Sequence, residues 1–268
     1  MIEQNQRLWT SMTAMHDVRV AEEAAGFLVE HLVSGMSLID VGCGSGSVTF
    51  GLAELVAPGE VVGIDTSESQ IEAAKQNLAD SGITNARFEV GDAHSLPFEH
   101  ATFDAAYEGM VYMHQADPEL AAREVFRVLK PGGVFGANDI EIDVCLSDSW
   151  PDSVWDLFNL TRRSRFAEGI NDCFGKQLPG VLRAAGFEQT LAGADYWNAD
   201  TPEKRHQLRD QYVTIAEASD FLEKVRQEEW ADEAKIQEGI RAFDAWAEMP
   251  GVFLARSLVY AVGWKPIP

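Results

Sequence analysis

One seven-residue stretch restricts this chain more than any other: Asp40-Val41-Gly42-Cys43-Gly44-Ser45-Gly46, lying between a strand-like run and a helix-like run. Ser37 to Val41 is short and apolar and reads as a strand, and Val48 to Val56 reads as a helix closed by Pro58-Gly59. Glycines allow a tight turn and let a ligand approach the backbone. The helix that follows offers free N–H groups and the positive end of its dipole. In an open α/β sheet, ligands bind at the carboxyl ends of the strands, which is where such a turn stands.

The rest of the first half keeps the same rhythm. Glu60–Asp65 is a second strand, Ser67–Ser81 a helix with its N-cap at Thr66 or Ser67 and its stop at Gly82, and Ala86–Val90 a third strand. Phe103–Tyr107 is the fourth strand and Pro118–Leu129 the next helix; Pro131-Gly132-Gly133 then turns into a fifth strand, Val134–Asp139. Alternation of this kind implies a doubly wound, Rossmann-like α/β fold with a mostly parallel sheet, here of seven strands, and helical cap insertions. The later strands are Phe187–Trp197 and Val252–Trp264, with a helix at Gln177–Ala185. The core is read as residues 35–140, 176–198 and 250–264 of a single domain spanning 1–268. The cap is read as 1–34, 146–175 and 201–249, all mostly helical. In the cap, Leu8, Trp9, Met12 and Met15 recur at helical spacing, as do Ala24, Phe27, Leu28, His31 and Leu32, and later Ile236, Ile240, Phe243 and Ala247.

The glycine pattern separates possible ligands. A dinucleotide loop needs G-x-G-x-x-G, but the third glycine would fall at Ser47 or Thr49. No Gly-Lys-Ser/Thr follows, so a phosphate-binding P-loop is excluded, and no tyrosine is followed by lysine four residues on. What remains is acid-x-G-x-G-x-G. Four stretches in order, Leu38–Gly46, Val62-Gly63-Ile64-Asp65, Gly91-Asp92-Ala93 with Leu96-Pro97-Phe98, and Arg127–Gly133, resemble the class I methyltransferases that use S-adenosylmethionine (SAM). The resemblance is to the broad group that includes ubiquinone and menaquinone biosynthesis methyltransferases, and it covers residues 35 to 140.

That resemblance implies SAM as cofactor and S-adenosylhomocysteine as product. It implies that Gly42, Cys43 and Gly44 pass close to the methionine part of SAM and that Asp40 accepts bonds from its amino group. Asp65 would take the two ribose hydroxyls, with Thr66 and Gln70 lining the ribose and adenine pocket. Asp92, in the turn begun by Gly91, would take the adenine amino group, with the Ala93 backbone N–H nearby. Tyr107, Glu108 and Gly109 would follow the fourth strand, with Glu108 meeting SAM through its backbone or facing the substrate. Methyltransferases acting on adenine or glutamine nitrogen carry Asn/Asp-Pro-Pro-aromatic there; Tyr107-Glu108-Gly109-Met110 departs from it. The candidates for a catalytic base are His114, His16 and Glu108, with Tyr107 a weaker one. Against these readings stand blander ones: Asp40 as a strand-end cap, Asp92 as a turn residue, His114 as structural.

Composition narrows the partners. The formal charge is −22, which repels phosphate backbones, so nucleic acid is not an expected partner. Arg162, Arg163 and Arg165 form the one dense basic cluster and read as a solvated helix face in preference to the alternative, a docking patch. Three cysteines, none in C-x-x-C spacing, and scattered histidines argue against a disulfide framework or a metal site. No apolar run is long enough to span a membrane and no secretion signal is read at the start, so the expected setting is cytoplasmic. Trp150, Trp155, Phe158, Phe166, Tyr196, Trp197, Trp230 and Trp246 make the cap aromatic, mostly as core residues, with the remainder suited to a flat or apolar small molecule. The reading is methyl transfer to an oxygen or carbon of such a molecule. The alternatives are a protein or tRNA methyltransferase, a SAM-binding cyclase, and a SAM-binding protein without turnover. Oligomeric state is not legible.

Overall fold

The computed structural model describes residues 21–147 and 149–268. Seven strands, Leu38–Val41 (β1), Val61–Asp65 (β2), Ala86–Val90 (β3), Phe103–Gly109 (β4), Leu129–Ser147 (β5), Glu188–Asn198 (β6) and Leu254–Trp264 (β7), form one sheet in the order β3-β2-β1-β4-β5-β7-β6. β1 pairs in parallel with β2 and β4, β2 with β3, and β4 with β5. The winding from β1 through β2 to β3 runs one way and then returns to place β4 on the other side of β1. The switch point of the sheet therefore lies between β1 and β4, and a crevice at their carboxyl ends is what such a reversal creates.

The described residues divide into two compact units. One holds 21–140, 173–195 and 258–268; the other holds 141–147, 149–172 and 196–257.

In the first unit, helices Ala21–Ala24 (α1), Gly26–Val29 (α2), Ser47–Val56 (α3), Glu68–Ser81 (α4), Pro118–Val128 (α5) and Leu178–Ala185 (α7) flank the strands. Ser67 caps α4 by accepting from the Gln70 amide, and Gly82 ends it in the left-handed region. Asp117 caps α5 in the same way, with Pro118 at its first position. Ala21, Ala24, Ala25 and Leu28 are buried with Leu38, Leu52, Val61 and Ala105 in one core cluster. Residues 21–34 thus belong with the sheet, not with the cap to which the sequence assigned them. The helix expected there is broken at Ala25 and ends at Val29, so His31 and Leu32 lie in turns beyond it.

Two strands are longer than the sequence suggests. β4 continues through Glu108 and Gly109, which therefore end the strand and do not follow it. β5 is continuous from Leu129 to Ser147, through the expected turn at Pro131-Gly132-Gly133. The turn is kept as a bulge, with Gly132 at a φ of 80° and the register jumping from Leu129 to Val134, and it is pinned by Gly132 N donating to the Lys265 carbonyl and Lys265 N donating back to the Gly133 carbonyl, at 2.8 and 2.9 Å.

In the second unit, the helices are Asp152–Ala167 (α6), Pro202–Glu217 (α8), Ser219–Gln227 (α9) and Glu233–Glu248 (α10). The single helical stretch expected over 201–249 is thus three helices. Ala218 breaks it with extended backbone, and Asp232 starts the last helix by accepting from the Lys235 amide. Trp150, Phe158, Tyr212, Phe243 and Trp246 interlock edge-on, tilted or stacked with centroids 5.1–6.0 Å apart, so of the expected aromatic set Trp150, Phe158 and Trp246 are core, while Trp155, Trp197 and Trp230 are only partly buried. Phe166 and Tyr196 are exposed. No described helix is long and apolar enough to cross a membrane.

Candidate active site

The site is assembled at the switch point. Gly42, Gly44 and Gly46 all have positive φ, +75°, +53° and +90°. At Gly42 a side chain would collide with Val111, whereas at Gly44 a Cβ would meet nothing within 4 Å. The turn is therefore closed on one side and open at Gly44, as a backbone that receives a ligand must be. Gly42 N and Cys43 N both donate to the Ile64 carbonyl, at 2.8 and 2.9 Å, fixing the turn to the end of β2.

Asp65, the last residue of β2, joins two segments with one carboxylate. Its Oδ2 accepts from Gly44 N at 3.1 Å and its Oδ1 from Ser67 N at 2.9 Å. Burial pushes its pKa up, and the backbone amides of Ser67, Gly44 and Thr66 pull it back. Asp40 is buried in β1 and accepts from the Thr49 hydroxyl at 2.6 Å, a partner on α3 that sequence reading missed. Cys43 is buried beside Ile71, Ala74 and Phe88, and burial, then Asp40 and Asp65, raise its thiol pKa. Only its backbone faces the turn's function. Thr66 is exposed, and Gln70 sits in the first turn of α4.

Gly91 N donates to the Asp65 carbonyl at 3.0 Å, which brings the third strand's loop to the same end of the sheet. Asp92 is exposed there, and its Oδ1 accepts from His94 N and meets His94 Nδ1, both at 2.9 Å. The His94 amide is the main cause of its lowered pKa. Ala93 is buried. The Leu96-Pro97-Phe98 segment is held by Arg127, which donates to the Leu96 and Phe98 carbonyls at 2.8 and 2.7 Å. Two of the matching stretches are thereby tied into one structure.

The end of β4 carries the least satisfied group. Alternation along the strand sends Tyr107 and Glu108 to opposite faces. On one face the Tyr107 hydroxyl lies 3.2 Å from both the Ala24 carbonyl and Asn138 Oδ1, and Asn138 Nδ2 donates to the same carbonyl at 2.9 Å. Tyr107 is a structural residue. On the other face Glu108 is wholly buried and neither of its oxygens has a hydrogen bond of full geometry. Its pKa is raised well above the usual carboxylate value, first by burial and then by Asp139; the neighbouring Tyr112 hydroxyl opposes the rise and Asp40 adds to it. Tyr112 is itself buried, with an unbonded hydroxyl, and its ring stacks on Phe174 at 5.6 Å. Asp139, in β5, accepts from Met113 N and Ile140 N at 2.7 Å. Met110, between Glu108 and Tyr112, holds a positive φ of 64°, a strained backbone at the tip of β4. His114 is half-buried in the 3-10 turn Tyr112–His114 that follows. His16 lies outside the described residues.

The structure thus brings Asp40, Gly42, Gly44, Asp65 and Glu108 to neighbouring strand ends, and adds Thr49, Tyr112 and Asp139. No motif marked these last three. Asp139 and Glu108 share a sheet face because Glu108 is in register with Ala137.

A doubly wound sheet with a glycine turn at its switch point and an acid at the tip of β2 defines a Rossmann-like, adenosyl-binding class of fold. The family described as "Methyltransferase domain" matches residues 32–183. The chain belongs to that family, within the class I SAM-dependent methyltransferases that include the quinone-biosynthesis group. It is 42% identical over 102 residues to a demethylmenaquinone methyltransferase of Lactococcus lactis, a stretch covering 38% of this chain and only 40% of that protein. It is 26% identical to an uncharacterized methyltransferase of Schizosaccharomyces pombe, covering 87% of this chain and 86% of the other. Among solved structures it is similar to the 4+2 cyclase SpnF, at 26% identity and a TM-score of 0.56, covering 90% of this chain and 80% of that one.

Proposed function

We propose that this protein transfers the methyl group of SAM to an oxygen or carbon atom of a small, apolar or aromatic molecule. The observation that carries the reading is Glu108: a wholly buried carboxyl without a full hydrogen bond, close to two further buried acids, Asp40 and Asp139. A buried polar group without a partner is costly, and three acids together favour a cationic occupant. The residues fit the sulfonium and ammonium of SAM, which when bound supplies an electrophilic methyl group.

In this reading Gly42, Cys43 and Gly44 present backbone to the methionine part, and Asp40 and Glu108 face its positive charge. Asp65 keeps lone pairs for the ribose hydroxyls while anchoring Gly44. Thr66 and Gln70 line the same pocket, and Asp92 with Ala93 N–H, after Gly91, takes the adenine. The chain's main contribution to rate is orientation of the acceptor in line with the methyl group. His114 and Glu108 are the candidates for a base among the described residues; burial, then Asp139, raises the Glu108 pKa, which makes its ionised form the more basic. The charge of −22 supports a partner other than nucleic acid, and the free cysteines support a reducing, cytoplasmic setting.

The test uses SAM labelled in its methyl group, with a panel of phenols and quinols beside bulk tRNA and cell protein. Label in the small molecules is the expected result; label in tRNA or protein alone overturns the reading. The likeness to SpnF favours a second reading, SAM bound without methyl transfer. Binding of S-adenosylhomocysteine with no label moved to any acceptor would select it.

A further inference from the structure

The second unit buries three arginines, and they are not alike. Arg205, on α8, is fully engaged: Nε donates to the Ala247 carbonyl at 3.0 Å, and one terminal nitrogen donates to those of Asp200 and Val252 at 3.3 and 3.4 Å. These carbonyls stand at the end of α10 and in the adjoining loops, where a cation is favoured. Arg205 is a structural staple.

Arg165 and Arg256 have no such provision. Each is 7% exposed, and each has an Nε closed off from solvent without an acceptor. Arg165, near the end of α6, makes no side-chain hydrogen bond or ion pair among the described residues; the atoms of its guanidinium that still reach solvent are the terminal nitrogens. Arg256, in β7, donates to the Gln211 amide oxygen at 3.1 Å and lies 4.6 Å from the centre of the Trp197 ring. Neither has a carboxylate partner among the described residues. Both act on the buried Tyr212 hydroxyl of α8, whose pKa burial raises and Arg256, then Arg165, lower. Tyr212 packs on Phe158, two helical turns before Arg165, so the two guanidiniums and the aromatic wall share a region.

The nearby acids are committed elsewhere. Asp143 and Asp172 pair with Arg162 at 2.9 and 3.4 Å. Glu168, which with Asp220 lines a small cavity beside Arg165, pairs with Lys224 at 3.4 Å, and Asp220 caps the Phe221 amide. In a chain with 43 acidic residues against 21 basic ones, two buried guanidiniums without an acid paired to them among the described residues are an exception. A desolvated charge must be matched by an opposite one, and arginine's fork of donors fits a carboxylate or phosphate.

We propose that Arg165 and Arg256 are the docking point for an anionic oxygen group, a carboxylate or a phosphate, of a small molecule bound by this unit. The test is calorimetry on the full chain with benzoate, phenyl phosphate and benzyl alcohol, together with S-adenosylhomocysteine. Benzoate or phenyl phosphate should bind at least tenfold more tightly than benzyl alcohol, the tighter of the two naming the group. Arg165→Met and Arg256→Met should each remove that advantage and leave S-adenosylhomocysteine binding in place. Equal binding of benzyl alcohol, no uptake of either anion, or unchanged anion binding by both variants overturns the proposal. Should a variant fail to fold, the wild-type contrast between anion and alcohol decides alone. Failure to bind S-adenosylhomocysteine would instead bring down the methyltransferase reading itself.

Discussion

The two units of this molecule bury charges of opposite sign. Among the described residues, the sheet-bearing unit buries Asp40, Glu108 and Asp139; the helical unit buries Arg165, Arg205 and Arg256, with Glu141 its one buried acid. Within each unit some of these charges are satisfied by the chain and some are not. Asp139 takes two backbone amides and Arg205 three backbone carbonyls. Glu108, Arg165 and Arg256 keep buried atoms with no partner. A buried charge that the chain itself neutralises explains the fold, and one that it leaves open points to a ligand. In the two proposals above, sign and satisfaction assign each unit a separate task, a cation at the strand ends and an anion in the helical unit.

The sharpest way to break that comparison is at the satisfied cation. Arg205→Ala should lower stability by about 3–5 kcal/mol, since it strands three carbonyls, read as a shift of the urea midpoint. A loss within ~0.5 kcal/mol would show that satisfaction by carbonyls does not distinguish Arg205 from its neighbours.

A second contrast lies within the glycine turn. Gly42→Ala and Gly44→Ala each place a side chain at positive φ, a cost of about 1–2 kcal/mol, but only the first also strikes Val111. Gly42→Ala should therefore be the less stable by thermal melting. Gly44→Ala should stay folded and lose at least tenfold in S-adenosylhomocysteine affinity by calorimetry. Equal ligand binding by Gly44→Ala and wild type would remove Gly44 from the site.

The smallest effect concerns Glu108 and pH. Its pKa in the folded chain is raised above the ordinary 4.5, so its neutral form contributes stability that is present below about pH 4.5 and is lost as pH rises through the folded value. Glu108→Gln removes that dependence. The variant should melt at about the wild-type temperature near the acid end and a few degrees higher at pH 8, while binding S-adenosylhomocysteine more weakly. Parallel melting curves across pH would show that Glu108 is not buried as a neutral acid.

Much of the sheet unit was legible in the sequence. β3 begins and ends where its apolar run does, and α4 stops at Gly82 because glycine alone takes the left-handed turn without strain. Errors fell where local signals compete with distant partners. Pro131-Gly132-Gly133 does turn, with Gly132 left-handed and a register jump between Leu129 and Val134, but pairing with Lys265 keeps the turn inside β5, so the strand starts earlier than expected. Ala218 and Asp232 end and restart helices inside what looks like one continuous stretch, because the helical pattern outweighs a single cap when counted by period. The arginine cluster was misjudged most clearly. Arg162 is paired with two aspartates and Arg165 is buried, and only Arg163 is exposed, stacked over Trp230 at 4.2 Å. Three arginines within four helix positions point in different directions, and only packing says which of them is inward.

By itself the sequence determined the alternating fold, the glycine turn, the acid at the end of β2 and hence the family, because each depends on short-range spacing. Only the tertiary structure decided that Tyr107 is structural, that Glu108 and Asp139 lie on one face, and that Arg165 and Arg256 are buried with no acid paired to them among the described residues. Burial and satisfaction arise from residues far apart in the chain, and no local pattern encodes whether a distant partner is present.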